Sequence, residues 1–199
     1  MKWRYGEAAL KVFLIFSISI FIFGAKEGTM TDNERKVIDF AKSSDTNNWI
    51  VINDVVMGGV SESSFQVTES GTAVFSGAVS LENNGGFASA NRNPSQFDLS
   101  DSDGIRFKVK GDGKKYKISV KNDGSFNGFS YRVEFNTKDG EWLTIDAPFS
   151  SFIPMLMGQK TSAPPIDRAN IKTFGFLISD KQEGPFRLEI DWIGGYSKK

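Results

Sequence analysis

The chain has 199 residues, 39% hydrophobic and 24% charged, with eighteen phenylalanines and a formal net charge of +0. Such a composition supports a core and argues against disorder, and without a basic surplus to neutralise phosphates it argues against nucleic-acid binding. There is no histidine and no cysteine, which excludes disulfides, the usual zinc, copper, haem and iron–sulfur sites, and Ser-His-Asp or Cys-His catalysis.

At the N-terminus, Lys2, Arg4 and Lys11 flank an apolar run over 12–25. Its length suits the apolar stretch of a signal peptide and is short for a spanning helix. Cleavage after Ala25 would put bulky Phe23 where a small residue is wanted. Extending the run back to Ala8 lets Lys11 snorkel to the headgroups. Three readings stay open: a signal peptide, an uncleaved hydrophobic helix anchored through 8–25, or a cytoplasmic chain that starts at Met30. The expected organisation is a signal peptide or anchor over 1–29, a linker over 30–38 and a folded domain over 39–196.

From there the pattern is β. "NDVVMGGVS" (53–61) precedes the alternating run "TAVFSGAVSL", which "ENNGG" separates from "FASANR"; Asn84-Gly85 favours a tight turn with positive φ. In "GIRFKVKGDGKKYKISV", Ile105, Phe107 and Val109 alternate with charges, and Tyr116, Ile118 and Val120 repeat the phase after Gly111-Asp112-Gly113. This predicts a hairpin with one buried face. "YRVEFNTKDGEWLTI" predicts a second hairpin, with its turn at Asp139-Gly140. Phe174, Phe176 and Ile178 alternate ahead of "KQEGP", and Phe186, Leu188, Ile190 and Trp192 alternate after it. The long irregular stretch, 148–170, holds four of the six prolines and is expected to be a functional loop or the cover of a sheet edge. About eight to ten antiparallel strands predict an all-β sandwich or jelly roll.

Candidate sites each carry two readings. Asn53 and Asp54, with Asn83 and Asn84, either form a polar rim for a partner or sugar, or satisfy local amides beside glycines that need special backbone angles. The carboxylates of "DLSDSDG" (98–104) lack the spacing of an EF-hand loop. "GDGKKY" opens no helix, so it is no phosphate loop. Glu82, Glu134 and Asp54 are the candidates for a hydrolytic carboxylate pair, although nothing in the sequence sets their separation. Trp49, Trp142 and Trp192 either stack sugars or fill the core. No cofactor or metal is expected.

Four segments occur in order: "WIVINDVVMGGVSESSF", "FSGAVSLENNGGFAS", "DGIRFKVKGDGKKYKI" and "ISDKQEGPFRLEIDWI". From about Phe40 to Ile193 the chain resembles the CIA30 family, named for complex I intermediate-associated protein 30. The resemblance implies a galactose-binding-domain-like jelly roll and an ancestry shared with chaperone-like assembly factors of respiratory complex I, the NADH:ubiquinone oxidoreductase. It supplies no catalytic residues. The Phe-rich N-terminus differs from an Arg- and Ser-rich transit peptide and points away from mitochondria. The expectation is a non-catalytic module, not an enzyme, that binds protein partners and assists assembly of a membrane complex. The alternative is a carbohydrate-binding module at the cell surface or in the periplasm.

Overall fold

The computed structural model describes residues 35–41, 48–125 and 128–198. Its strands, in chain order, are β1 (Arg35–Asp39), β2 (Trp49–Asn53), β3 (Glu62–Val67), β4 (Ala73–Val79), β5 (Ala88–Arg92), β6 (Gly104–Lys110), β7 (Lys115–Lys121), β8 (Ser130–Asn136), β9 (Trp142–Pro148), β10 (Ile153–Leu156), β11 (Gln159–Lys160), β12 (Thr173–Ile178) and β13 (Gly184–Tyr196). Two antiparallel sheets result, one ordered β3-β4-β13-β6-β9 with β1 also on β13, the other β11-β10-β8-β7-β12-β5-β2. This is the expected β-sandwich. The N-terminal hydrophobic helix expected over 8–25 lies outside the described residues. β1 starts inside the segment read as linker, because Ile38 is fully buried and pairs with Ile193 on β13.

β13 is the longest strand and organises its sheet. Gly184 to Ile190 pair with β4, and Trp192 to Gly195 pair with β1 along the same edge, while Glu189 to Tyr196 pair with β6 on the other side. A register shift between Ile190 and Trp192 breaks the alternation. Ile190 faces the core, whereas Trp192 pairs with Lys108 on the outer face and lies under Lys36, 5.4 Å from the ring centroid. Such bulges re-aim side chains without ending a strand.

The expected hairpins at Gly111-Asp112-Gly113 and Asp139-Gly140 are not hairpins. β6 hydrogen-bonds to β13 and β9, whereas β7 hydrogen-bonds to β12 and β8, so the chain crosses from one sheet to the other between them. The segments β8 to β9, β12 to β13 and β4 to β5 likewise change sheets. The physical reason is that alternation reports which face is buried and not which sheet buries it. Strands facing each other across a core show the same phase as strands lying side by side. At the β6–β7 crossing, Asp112 accepts hydrogen bonds from the Lys114 amide, the Tyr116 hydroxyl and the Arg187 amide. Sequence-adjacent strands that do pair are β3 with β4, β7 with β8, and β10 with β11. The last pair forms in the stretch expected to be irregular and extends the seven-stranded sheet beyond β8.

Between the sheets lies an aromatic core. Phe176, fully buried, has the rings of Trp49, Phe107 and Phe135 within 6.4 Å. Trp49 stacks on Phe65 at 4.4 Å, which fastens edge strand β2 to edge strand β3 of the other sheet. Phe176→Ala should therefore cost about 3–5 kcal/mol, the range for truncating a buried aromatic. Urea denaturation monitored by tryptophan fluorescence checks this.

Candidate functional site

"NDVVMGGVS" joins β2 to β3, and "ENNGG" joins β4 to β5, so both loops cross between the sheets at one corner. Asp54 connects them. Its side chain is completely buried. Oδ1 accepts the Ser61 amide at 2.9 Å, and Oδ2 accepts the Ser61 hydroxyl at 2.5 Å, the Gly86 amide at 2.6 Å and the Phe87 amide at 3.2 Å. Burial alone would push this carboxyl up. The hydrogen bonds from Ser61, Gly86 and Phe87 outweigh it and hold the group below the ordinary carboxylate value.

Two glycines of these loops are set by this carboxylate and a third by its backbone angle. Gly58 closes a 3-10 turn over Asp54–Met57 with φ of 92°, which needs glycine for its backbone angle. Gly59 and Gly85 need glycine for space, since a β-carbon on either would overlap the Asp54 carboxyl. Asn53 also faces inward, its Oδ1 accepting the Ser63 hydroxyl at 2.6 Å and linking β2 to β3. Asn83 and Asn84 sit exposed in the second loop in the left-handed region, with φ of 54° and 61°.

The structure thus brings the four expected residues to one corner but separates their roles. Asp54 is enclosed and has no surface for a ligand, Asn53 is held inward by Ser63, and Asn83 and Asn84 are exposed to solvent. Sequence reasoning missed the apolar residues between them. Val55, Val56 and Met57 are 60%, 65% and 67% exposed, and Val60 is exposed beside them. The available signal was that "VVM" sits in a turn too short to return to the core.

The other candidates scatter. Glu134 is paired with Lys115 at 2.9 Å, and Glu82 is exposed, so neither meets Asp54 as a hydrolytic pair. Asp98 caps the Ser100 amide and Asp103 accepts the Lys198 amide. Among the described residues no group of three or more acidic side chains is placed to hold a metal ion. Trp49 and Trp192 are packed away, and Trp142 lies on the outer face of the six-stranded sheet with Lys108 and Lys110 over its ring at 5.2 and 4.9 Å. The outer face of the seven-stranded sheet carries no aromatic side chain among its described strand residues.

Replacing Asp54 by Ala strands four buried or part-buried donors and should lower stability by at least about 3 kcal/mol; Gly59→Ala should cost about 1–3 kcal/mol by overpacking. Because folding lowers the Asp54 pKa, its contribution is complete above the ordinary value of 3.8 and is lost as pH falls through that value towards the folded one. Denaturation midpoints between pH 7 and pH 2 should show this acid loss, reduced in Asp54→Asn.

The sequence pattern of the family described as complex I intermediate-associated protein 30 matches residues 38–190. Relatives described as complex I intermediate-associated protein 30, mitochondrial, include one from Mus musculus, 28% identical and covering 83% of this chain and 57% of its own length. One from Drosophila melanogaster is 26% identical and covers 79% and 61%. The chain therefore spans little more than half the length of these curated relatives. Among solved structures, the family 11 carbohydrate-binding module of a cellulosomal cellulase of Clostridium thermocellum aligns with a TM-score of 0.63 at 20% identity, covering 83% of this chain and 96% of that one. An agarase aligns with a TM-score of 0.57 at 14% identity over 83% of this chain and 25% of its own. At such identities the likeness is one of fold. With the family pattern spanning the sandwich from β1 into β13, this chain belongs to the complex I intermediate-associated protein 30 family.

Proposed function

We propose that the chain is a non-catalytic interaction module that binds protein partners and assists assembly of a membrane complex, with subunits of NADH:quinone oxidoreductase as the partners its relatives' names suggest. The observation that carries this reading is the exposed aliphatic tip Val55–Met57, in a turn that begins at the buried Asp54 and closes at Gly58. Apolar side chains projected into water in a cluster mark contact surfaces. A tip anchored at both ends loses little conformational freedom on binding. Asn83 and Asn84 supply a polar rim, the usual border of an apolar contact. Residues 8–25 provide the export signal or membrane tether in this reading, and a start at Met30 would leave the module in the cytoplasm.

A carbohydrate-binding role has only the fold in its favour. Sugar rings are commonly held by exposed aromatics, and the described strands of the seven-stranded sheet offer none on their outer face.

Deleting the gene should lower the amount of assembled NADH:quinone oxidoreductase in native gels of membranes, and the wild-type gene should restore it. A chain carrying V55S, V56S and M57S together should keep its melting temperature but lose about tenfold or more of the captured subunits, the scale of removing apolar anchors. Unchanged enzyme levels with no co-purifying subunit overturn the proposal.

A further inference from the structure

Across the outer face of the seven-stranded sheet, one row runs Ile153, Arg132, Ser119, Gly175, Asn91 and Ile50 over β10, β8, β7, β12, β5 and β2. Among the described residues, Arg132 stands out for its lack of a counter-charge. Neighbouring cations on this face are paired: Lys115 with Glu134 at 2.9 Å and Lys117 with Asp180 at 2.6 Å. On the other sheet, Lys108 pairs with Asp191 at 2.8 Å and Lys110 with Glu189 at 2.9 Å. Arg132 instead donates from Nε to the Ser130 hydroxyl at 3.1 Å, and among the described residues no carboxylate pairs with its guanidinium. It is half-buried, and burial pushes its guanidinium down. Lys121 on β7 adds positive potential beside it: burial pushes the Lys121 amine down, Asp123 draws it back, and Arg132 repels it. A desolvated cation without an anion is unfavourable for the free protein.

The surroundings of Arg132 suit an anion. Ser119, its direct cross-strand partner, is largely buried, and its hydroxyl makes no hydrogen bond among the described residues. Next along the row, Gly175 is buried, and Asn91 Oδ1 and Ser119 Oγ close over it where a β-carbon would sit. The two ends of the row are aliphatic: Ile153 is 42% exposed and Ile50 is 48% exposed.

We propose that this row binds a carboxylate carried by a polypeptide segment of the partner, with the Arg132 guanidinium taking both carboxylate oxygens and the Ser119 hydroxyl donating a further hydrogen bond. The planar fork of arginine matches a carboxylate in two parallel hydrogen bonds. The aliphatic ends favour a protein source, an acidic residue between apolar ones, over an acidic sugar, which this face gives no ring to stack on. The inference rests on the interaction-module reading for the identity of the partner, and on Arg132 alone for its chemistry.

The test uses the full chain, labelled with nitrogen-15 and titrated with acetyl-Ile-Glu-Ile-amide, its Gln counterpart and glucuronate. The Arg132 Nε–Hε and Ser119 amide signals should move with the Glu peptide, and the Gln peptide should bind about tenfold more weakly. R132M should abolish the shifts without lowering the melting temperature, since it removes an uncompensated cation, and R132K should bind about tenfold more weakly by losing the two-pronged geometry. No shift with the Glu peptide, or equal binding by R132M, overturns the proposal. A shift with glucuronate and none with the peptide overturns the protein source. A fall in melting temperature in R132M that R132K restores makes Arg132 a structural cation and overturns it as well. Respiratory subunits captured equally by wild type and R132M sink the carboxylate site and leave the interaction reading standing. Peptide binding at Arg132 by a chain that captures no such subunit does the reverse.

Discussion

A carboxylate sealed from water is tolerated only when its lone pairs are filled, and the corner of this sandwich is arranged around one. Asp54 draws the Ser61 hydroxyl and the amides of Ser61, Gly86 and Phe87 onto two oxygens. This fixes the crossing from β2 to β3 against the crossing from β4 to β5, and so fixes how the two sheets are joined there. Two glycines follow from it, because Gly59 and Gly85 lie where a side chain would meet the carboxyl. The exposed tip follows too. With Asp54 drawn inward and Gly58 closing the turn, Val55, Val56 and Met57 have no core to enter. One buried charge therefore accounts for two of the glycines in these loops and goes with the exposure of Val55, Val56 and Met57.

The outer faces of the two sheets treat charge differently. On the six-stranded sheet, Arg106, Lys108 and Lys110 are matched to Asp146, Asp191 and Glu189 in a ladder across strands. Such exposed pairs contribute little each, but they leave the face electrically balanced. On the seven-stranded sheet, Lys115 and Lys117 are matched, and Arg132 has no carboxylate partner among the described residues. A half-buried guanidinium without a described counter-charge is the feature on which the proposed carboxylate contact rests. The two proposed contacts, the aliphatic tip and the cationic row, lie on a scaffold that has no histidine and no cysteine and, among its described residues, no group of three or more acidic side chains placed to hold a metal ion.

Much of the fold was legible in the sequence. The alternation at Ile105, Phe107 and Val109, and again at Tyr116, Ile118 and Val120, marks strands with one buried face, and these residues are indeed buried. The order of motifs identified the family. The pairing of strands was not legible, because a run that buries its odd residues looks the same whether its neighbour lies beside it or across the core. The bulge at Asp191 was also hidden, and it turns Trp192 from an apparent core residue into one on the outer face.

At the site, sequence alone determined the residue types: an acid among glycines, a pair of asparagines, and no side chain suited to thiol or imidazole chemistry. It could not say which way Asp54 points. That depends on Gly86 and Phe87, more than thirty positions away, whose amides reach it only once both loops cross at the same corner. The same holds for Arg132. That no described carboxylate reaches it is a property of six strands laid side by side, since pairing is decided by what lies across the sheet and not by what precedes or follows in the chain.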